Sequence, residues 1–83
     1  MSNWKTTREK LLLGASDASL DFENVCTMLR RLGFSERQKG SHHIFHKEGV
    51  LEIINLQPRG RAGKPYQMKQ IRHIMLKYGL TGE

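Results

Sequence analysis

One helical stripe with a clear start and stop, followed by three short strand-like runs, limits this chain to very few folds. Phe22, Val25, Cys26, Leu29 and Leu32 recur at the spacing of one helix face, and such a stripe has to be buried against a second layer. Asp21 stands at the N-cap position, Arg30 and Arg31 suit the negative end of the helix dipole, and Gly33 sits where a left-handed C′ residue belongs. Residues 34–38, 41–47 and 50–56 then read as strands, with Glu48-Gly49 as a tight turn between the last two. A second stripe follows in Met68, Ile71, Ile74, Met75 and Tyr78, with Pro65 as the first helical residue and Gly79 as the stop. A three-stranded sheet needs a covering layer. The expected architecture is therefore a two-layer α+β domain of order αβββα, with an antiparallel meander, both helices on one sheet face and the other face open.

Two segments lie outside that pattern. Residues 1–20 read as an N-terminal extension to a single domain at 21–83, with a short helix capped by Thr6 or Thr7, running through Leu13 and ended by Gly14. Leu11, Leu12 and Leu13 need burial, so this piece is expected to dock on the domain, with Trp4 packed on the core. Residues 57–65 carry the breakers Gly and Pro and read as a loop bearing the mobile cations Arg59, Arg61 and Lys64.

Charge narrows the partner. The net charge is +6, and residues 37–83 hold all of it, with nine basic side chains against three acidic ones and all four histidines. Such asymmetry points to a polyanion, with nucleic acid first. The single cysteine, Cys26, excludes an internal disulfide, and on its apolar stripe it reads as a core residue. No CxxC pair suggests a zinc finger, and His42 with His46 lacks evident third and fourth ligands. No apolar run approaches the length of a membrane span and no signal-peptide core is visible, so a cytoplasmic protein without a membrane association is expected.

The chemistry concentrates in the stretch KGSHHIFHK, residues 39–47, where three histidines fall within five positions. On a strand His42, Ile44 and His46 share one face, and Ser41, His43 and Phe45 share the other, which leaves open which face is buried. Histidine is the side chain whose ordinary pKa, roughly 6.5, lets it take and give protons near neutrality.

The αβββα order with Gly40-Ser41-His42 at the start of the second strand resembles the HicA family, the toxin half of bacterial and archaeal toxin–antitoxin pairs. The residues that carry the resemblance are Leu32-Gly33-Phe34, Gly40-Ser41-His42-His43, Phe45, Lys64-Pro65-Tyr66 and Tyr78-Gly79-Leu80, within residues 22–80. It implies a double-stranded-RNA-binding-domain-like fold, cleavage of mRNA without a metal or cofactor, neutralisation by a HicB-type antitoxin, and catalysis by the histidine of the Gly-Ser-His motif, here His42. The loop at 57–65 is longer than the family's commonest version.

That chemistry is also reasonable from the residues themselves. The 2′-hydroxyl of RNA attacks the adjacent phosphorus when a base removes its proton, which neutral His42 could do before protonating the leaving 5′-oxygen. Cations must offset the charge that builds on phosphorus, and Lys39, Lys47 and Lys64 are the candidates. The remaining RNA-contact candidates are Gly40, Ser41, His43, Arg59, Arg61 and Tyr66. The alternative is a plain RNA-binding module that uses the same residues without cleavage.

Overall fold

The stripe around Val25 forms a helix (α2, Phe22–Arg31), started and stopped by the residues expected to do so. Asp21 caps it by accepting the Asn24 N–H at 3.0 Å. At its other end Gly33 takes φ +98°, and the chain closes with Gly33 N–H donating to Arg30 O at 3.1 Å and Phe34 N–H to Leu29 O at 3.0 Å. This paired closure satisfies two carbonyls that the helix would otherwise strand, and it turns Phe34 back onto the core, where it is buried. Phe34 thus belongs to the helix stop, and the first strand begins one residue later than expected.

The computed structural model describes residues 4–81. Ahead of α2 lies α1 (Trp4–Leu13). After it come β1 (Ser35–Lys39), β2 (His42–Lys47) and β3 (Val50–Leu56), then β4 (Pro58–Arg59), β5 (Ala62–Gly63) and α3 (Pro65–Lys77). Strands β1, β2 and β3 form an antiparallel sheet in that order. The β1–β2 turn is only Gly40-Ser41, because Lys39 pairs directly with His42. Gly40 has φ +61° and Ser41 does not have positive φ, the pattern of a two-residue hairpin turn that needs glycine first. That is the structural meaning of the Gly-Ser step: it sets His42 as the first residue of a strand.

One sheet face is covered by helices. Phe45, Ile54 and Leu56 from the sheet, Val25, Met28 and Leu29 from α2, and Met68, Ile71 and Met75 from α3 are completely buried in one cluster. Phe45 therefore decides the orientation of β2: its face is the core side, and His42, Ile44 and His46 lie on the outer side. The arrangement is the expected α+β fold, consistent with a small double-stranded-RNA-binding-domain-like architecture. Among the described residues no helix is long and apolar enough to cross a membrane.

The N-terminal piece differs in detail. Helix α1 already includes Trp4, so Thr6 and Thr7 lie inside it and do not cap it, and Thr7 is buried. Leu11 joins the core and Leu12 packs against it, but Leu13 is 81% exposed. Successive helical residues are about 100° apart, so three in a row cannot share one buried face. Trp4 packs on the core cluster as expected, with the Arg31 guanidinium 5.9 Å from its ring. Arg72 of α3 ties this piece down, donating to Leu11 O at 3.0 Å and to both Asp17 carboxylate oxygens at 2.9 and 3.1 Å.

Residues 57–65 depart further from expectation. They form a small hairpin rather than an irregular loop, with Pro58 paired to Gly63 and Arg59 to Ala62. The hairpin is anchored because Phe22 N–H, one of the donors at the start of α2 that lack an intrahelical partner, donates to Arg61 O at 2.7 Å.

Two carboxylates give the fold an acid-sensitive side. Glu52 on β3 accepts from the Tyr78 hydroxyl at 2.6 Å and from Lys77 Nζ at 2.9 Å, and these bonds, the tyrosine's first, lower its pKa to about 2. Burial alone would raise the pKa of Glu36, but hydrogen bonds from His43 and Arg30 outweigh it and leave the group below its ordinary value. Both groups bind protons more weakly folded than unfolded. Their stabilisation is fully present above the unfolded value, near 4.5, and is lost as pH falls from there toward the folded values. The thermal midpoint is expected to be flat above about pH 5 and to drop steadily below it. In Glu52→Gln the drop should shrink, and a midpoint with the parental acid profile would contradict the assignment.

Candidate active site

The outer sheet face carries the candidate site. Direct pairing puts Lys39 of β1 beside His42 of β2, and Arg37 beside Ile44, with side chains on one face about 5 Å apart at Cβ. On β3, Asn55 alternates with buried Ile54 and Leu56, so it also faces outward. Leu51 and Ile53 continue that face and are 89% and 60% exposed.

His42 is held at both ring nitrogens. Its Nδ1 lies 3.0 Å from Asn55 Oδ1, and its Nε2 lies 3.2 Å from Gln57 Nε2. An amide oxygen can only accept, so Nδ1 carries the proton and Nε2 keeps its lone pair, toward which the Gln57 amide donates. The orientation of Gln57 is fixed in turn. Lys64 Nζ donates to its Oε1 at 3.1 Å, which leaves the amide nitrogen facing His42 and, at 3.4 Å, Ser41 Oγ. Gln57 N–H donates to Oε1 of buried Gln67 at 3.3 Å, anchoring this arm to α3. The set is a polar chain from Asn55 through His42 and Gln57 to Lys64, open to solvent on one side. It can present a basic nitrogen and an ammonium to one phosphodiester.

The candidates read from the sequence are not all gathered there. Lys39, Gly40, Ser41 and Lys64 surround His42, and exposed Tyr66 follows Lys64 at the start of α3. Lys47 is at the far end of β2, about 16 Å along the strand, with Nζ against Gly33. Arg59 and Arg61 are exposed on the hairpin. His43 is on the core side of the sheet, its Nδ1 2.7 Å from Glu36 Oε2 and its ring edge-on to Phe22 at 5.1 Å.

Asn55, Gln57 and Gln67 were not singled out by sequence reasoning. The available signal was the polar–apolar–polar run Asn55-Leu56-Gln57 at the end of the strand, which sends both carboxamides to the face opposite buried Leu56.

Among the described residues one trio could offer metal ligands: Cys26, Glu36 and His43, whose donor atoms lie within 4.8 Å of one another. Burial, before any charge effect, pushes the Cys26 thiol up to about 12, and the Glu36 carboxylate is already shared by Arg30 and His43. The trio is thus a Glu36–His43 hydrogen-bonded pair packed beside a buried thiol rather than an open site.

A sequence model of the family described as the HicA toxin of bacterial toxin–antitoxin systems matches residues 22–80, which includes every strand, α2, α3 and the whole polar chain around His42. Searches of the curated proteins and of the solved structures return no significant match.

Proposed function

The chain belongs to the HicA family of toxins from bacterial toxin–antitoxin systems, and on that premise we propose that it is an mRNA endoribonuclease with His42 as its general base. The observation that carries the reading is the state of His42: an imidazole with its proton fixed on Nδ1 by Asn55 and its Nε2 lone pair accepting from the Gln57 amide at the end of the Lys64–Gln57 arm.

Nε2 takes the proton of the substrate 2′-hydroxyl as Gln57 releases it. The 2′-oxygen bonds to the adjacent phosphorus, the bond to the 5′-oxygen breaks, and that oxygen receives a proton from the imidazolium, directly or through water. The products are a 2′,3′-cyclic phosphate and a 5′-hydroxyl. Asn55 supports the imidazolium as it forms, in the manner of the orienting member of a catalytic triad. Lys64 and Lys39 offset the charge on phosphorus. Nothing in this sequence of steps calls for a metal.

A HicB-type antitoxin is the proposed partner, acting in the cytoplasm where mRNA is available. An exposed face bearing Arg37, Lys39, His42 and Lys64 suits a partner that lays carboxylates over it.

RNA binding by the His42→Ala protein, expected to cleave far more slowly than the parent, tests this reading. Affinity should fall steeply with salt, by roughly one unit of log–log slope per phosphate neutralised, and Lys64→Ala should flatten the slope without changing sequence preference. An affinity indifferent to salt would contradict the proposed mode of binding.

A further inference from the structure

His43 is next to the proposed base in sequence but on the other side of the sheet, and its surroundings are unusual for a merely structural histidine. Glu36 holds Nδ1 at 2.7 Å and is itself held by Arg30 at 2.7 Å, while the Phe22 ring stands edge-on at 72°. The imidazole is clamped from two directions. Among the described residues its Nε2 has no hydrogen-bond partner.

The ring lines an open cleft of about 440 Å³ between the start of α2 and the β4–β5 hairpin, together with Phe22, Glu23, Pro58 and Arg61. That volume is within the range of about 300–1,000 Å³ usual for small-ligand sites. Its lining combines flat apolar surface from Phe22 and Pro58, a carboxylate acceptor from Glu23, a cation from Arg61 and the oriented imidazole. A bare phosphate would meet the Glu23 carboxylate, which disfavours it. A planar heterocycle with donors and acceptors on its rim would find a partner for each.

We propose that this cleft receives an unpaired nucleobase flanking the scissile phosphate, and that Glu23 and His43 read its edge. The inference rests on the reading of the chain as a ribonuclease. The cleft and His42 lie on opposite faces at the same end of β2, so a strand whose phosphate sits at His42 reaches the cleft by turning around the sheet end past the hairpin. Single-stranded RNA does this readily, because its unstacked bases splay out and can be read on their edges. A carboxylate at the rim favours bases with an exocyclic amino group, which adenine, cytosine and guanine carry and uracil lacks.

The probes are 2′-fluoro hexanucleotides of A, C or U and an abasic hexamer, none of which can be cut because the attacking hydroxyl is absent. Binding is followed through backbone amide shifts of the whole chain. Shifts at residues 39–42, 55 and 57 are expected with every probe, and shifts at 21–23, 43 and 59–61 with A or C only, at roughly tenfold or higher affinity than U. Glu23→Gln and Arg61→Ala, both at exposed side chains, should erase that discrimination without affecting the fold. Outer-face shifts with a silent cleft, or cleft shifts equal for the abasic probe, would overturn the subsite and leave the ribonuclease reading standing. The absence of any shift would overturn both.

Discussion

His42→Ala is expected to lower RNA cleavage by about 10²–10⁴-fold or more, the usual contribution of one positioned acid–base group, while the protein folds and binds RNA as before. The separation is possible because His42 is on the outer face, away from the cluster around Phe45. Its ring bonds are to Asn55 and Gln57, neither of them buried. Loss of such a side chain should cost at most about 1 kcal/mol of stability. Growth arrest on expression, cleavage by purified protein and the thermal midpoint are to be compared with the parent. The same change at His46, exposed at the other end of β2, should leave most of the activity. A His42→Ala protein that folds and cleaves at the parental rate would remove this residue from the mechanism.

Much of the fold was legible because its signals are local. The Phe22–Leu32 stripe, the Asp21 cap and the Gly33 stop each depend on residues within a turn of one another, and all three formed as read. The β4–β5 hairpin was not legible, since its anchor is a bond between Arg61 O and Phe22 N–H, partners 39 positions apart in sequence. The extent of burial along α1 was misjudged for a related reason: three consecutive leucines look equally apolar, and only the docking of Leu11 fixes which one points outward.

The site divides the same way. His42 stood out by its place after Gly40-Ser41, and the two-residue turn explains why those residues precede it. The partners Asn55 and Gln57 come from the neighbouring strand and the step beyond it, so they become visible only once the β2–β3 register is known. Lys47 is on the same strand as His42, and the extended rise of five residues separates it from the cations near His42 despite their closeness in sequence.

A substrate-side substitution tests the central claim most directly, because it leaves the protein untouched. The claim is that the 2′-hydroxyl is the nucleophile and that His42 Nε2 removes its proton. An oligoribonucleotide that the protein cuts at one linkage is compared with the same oligonucleotide carrying a single 2′-deoxy residue on the 5′ side of that linkage, both in the presence of a chelator, with product ends identified by mass. The account predicts that the all-ribo strand yields a 2′,3′-cyclic phosphate and a 5′-hydroxyl, and that the deoxy strand stays uncut at that linkage. Cleavage of both strands at similar rates, or products bearing a 5′-phosphate, would contradict it.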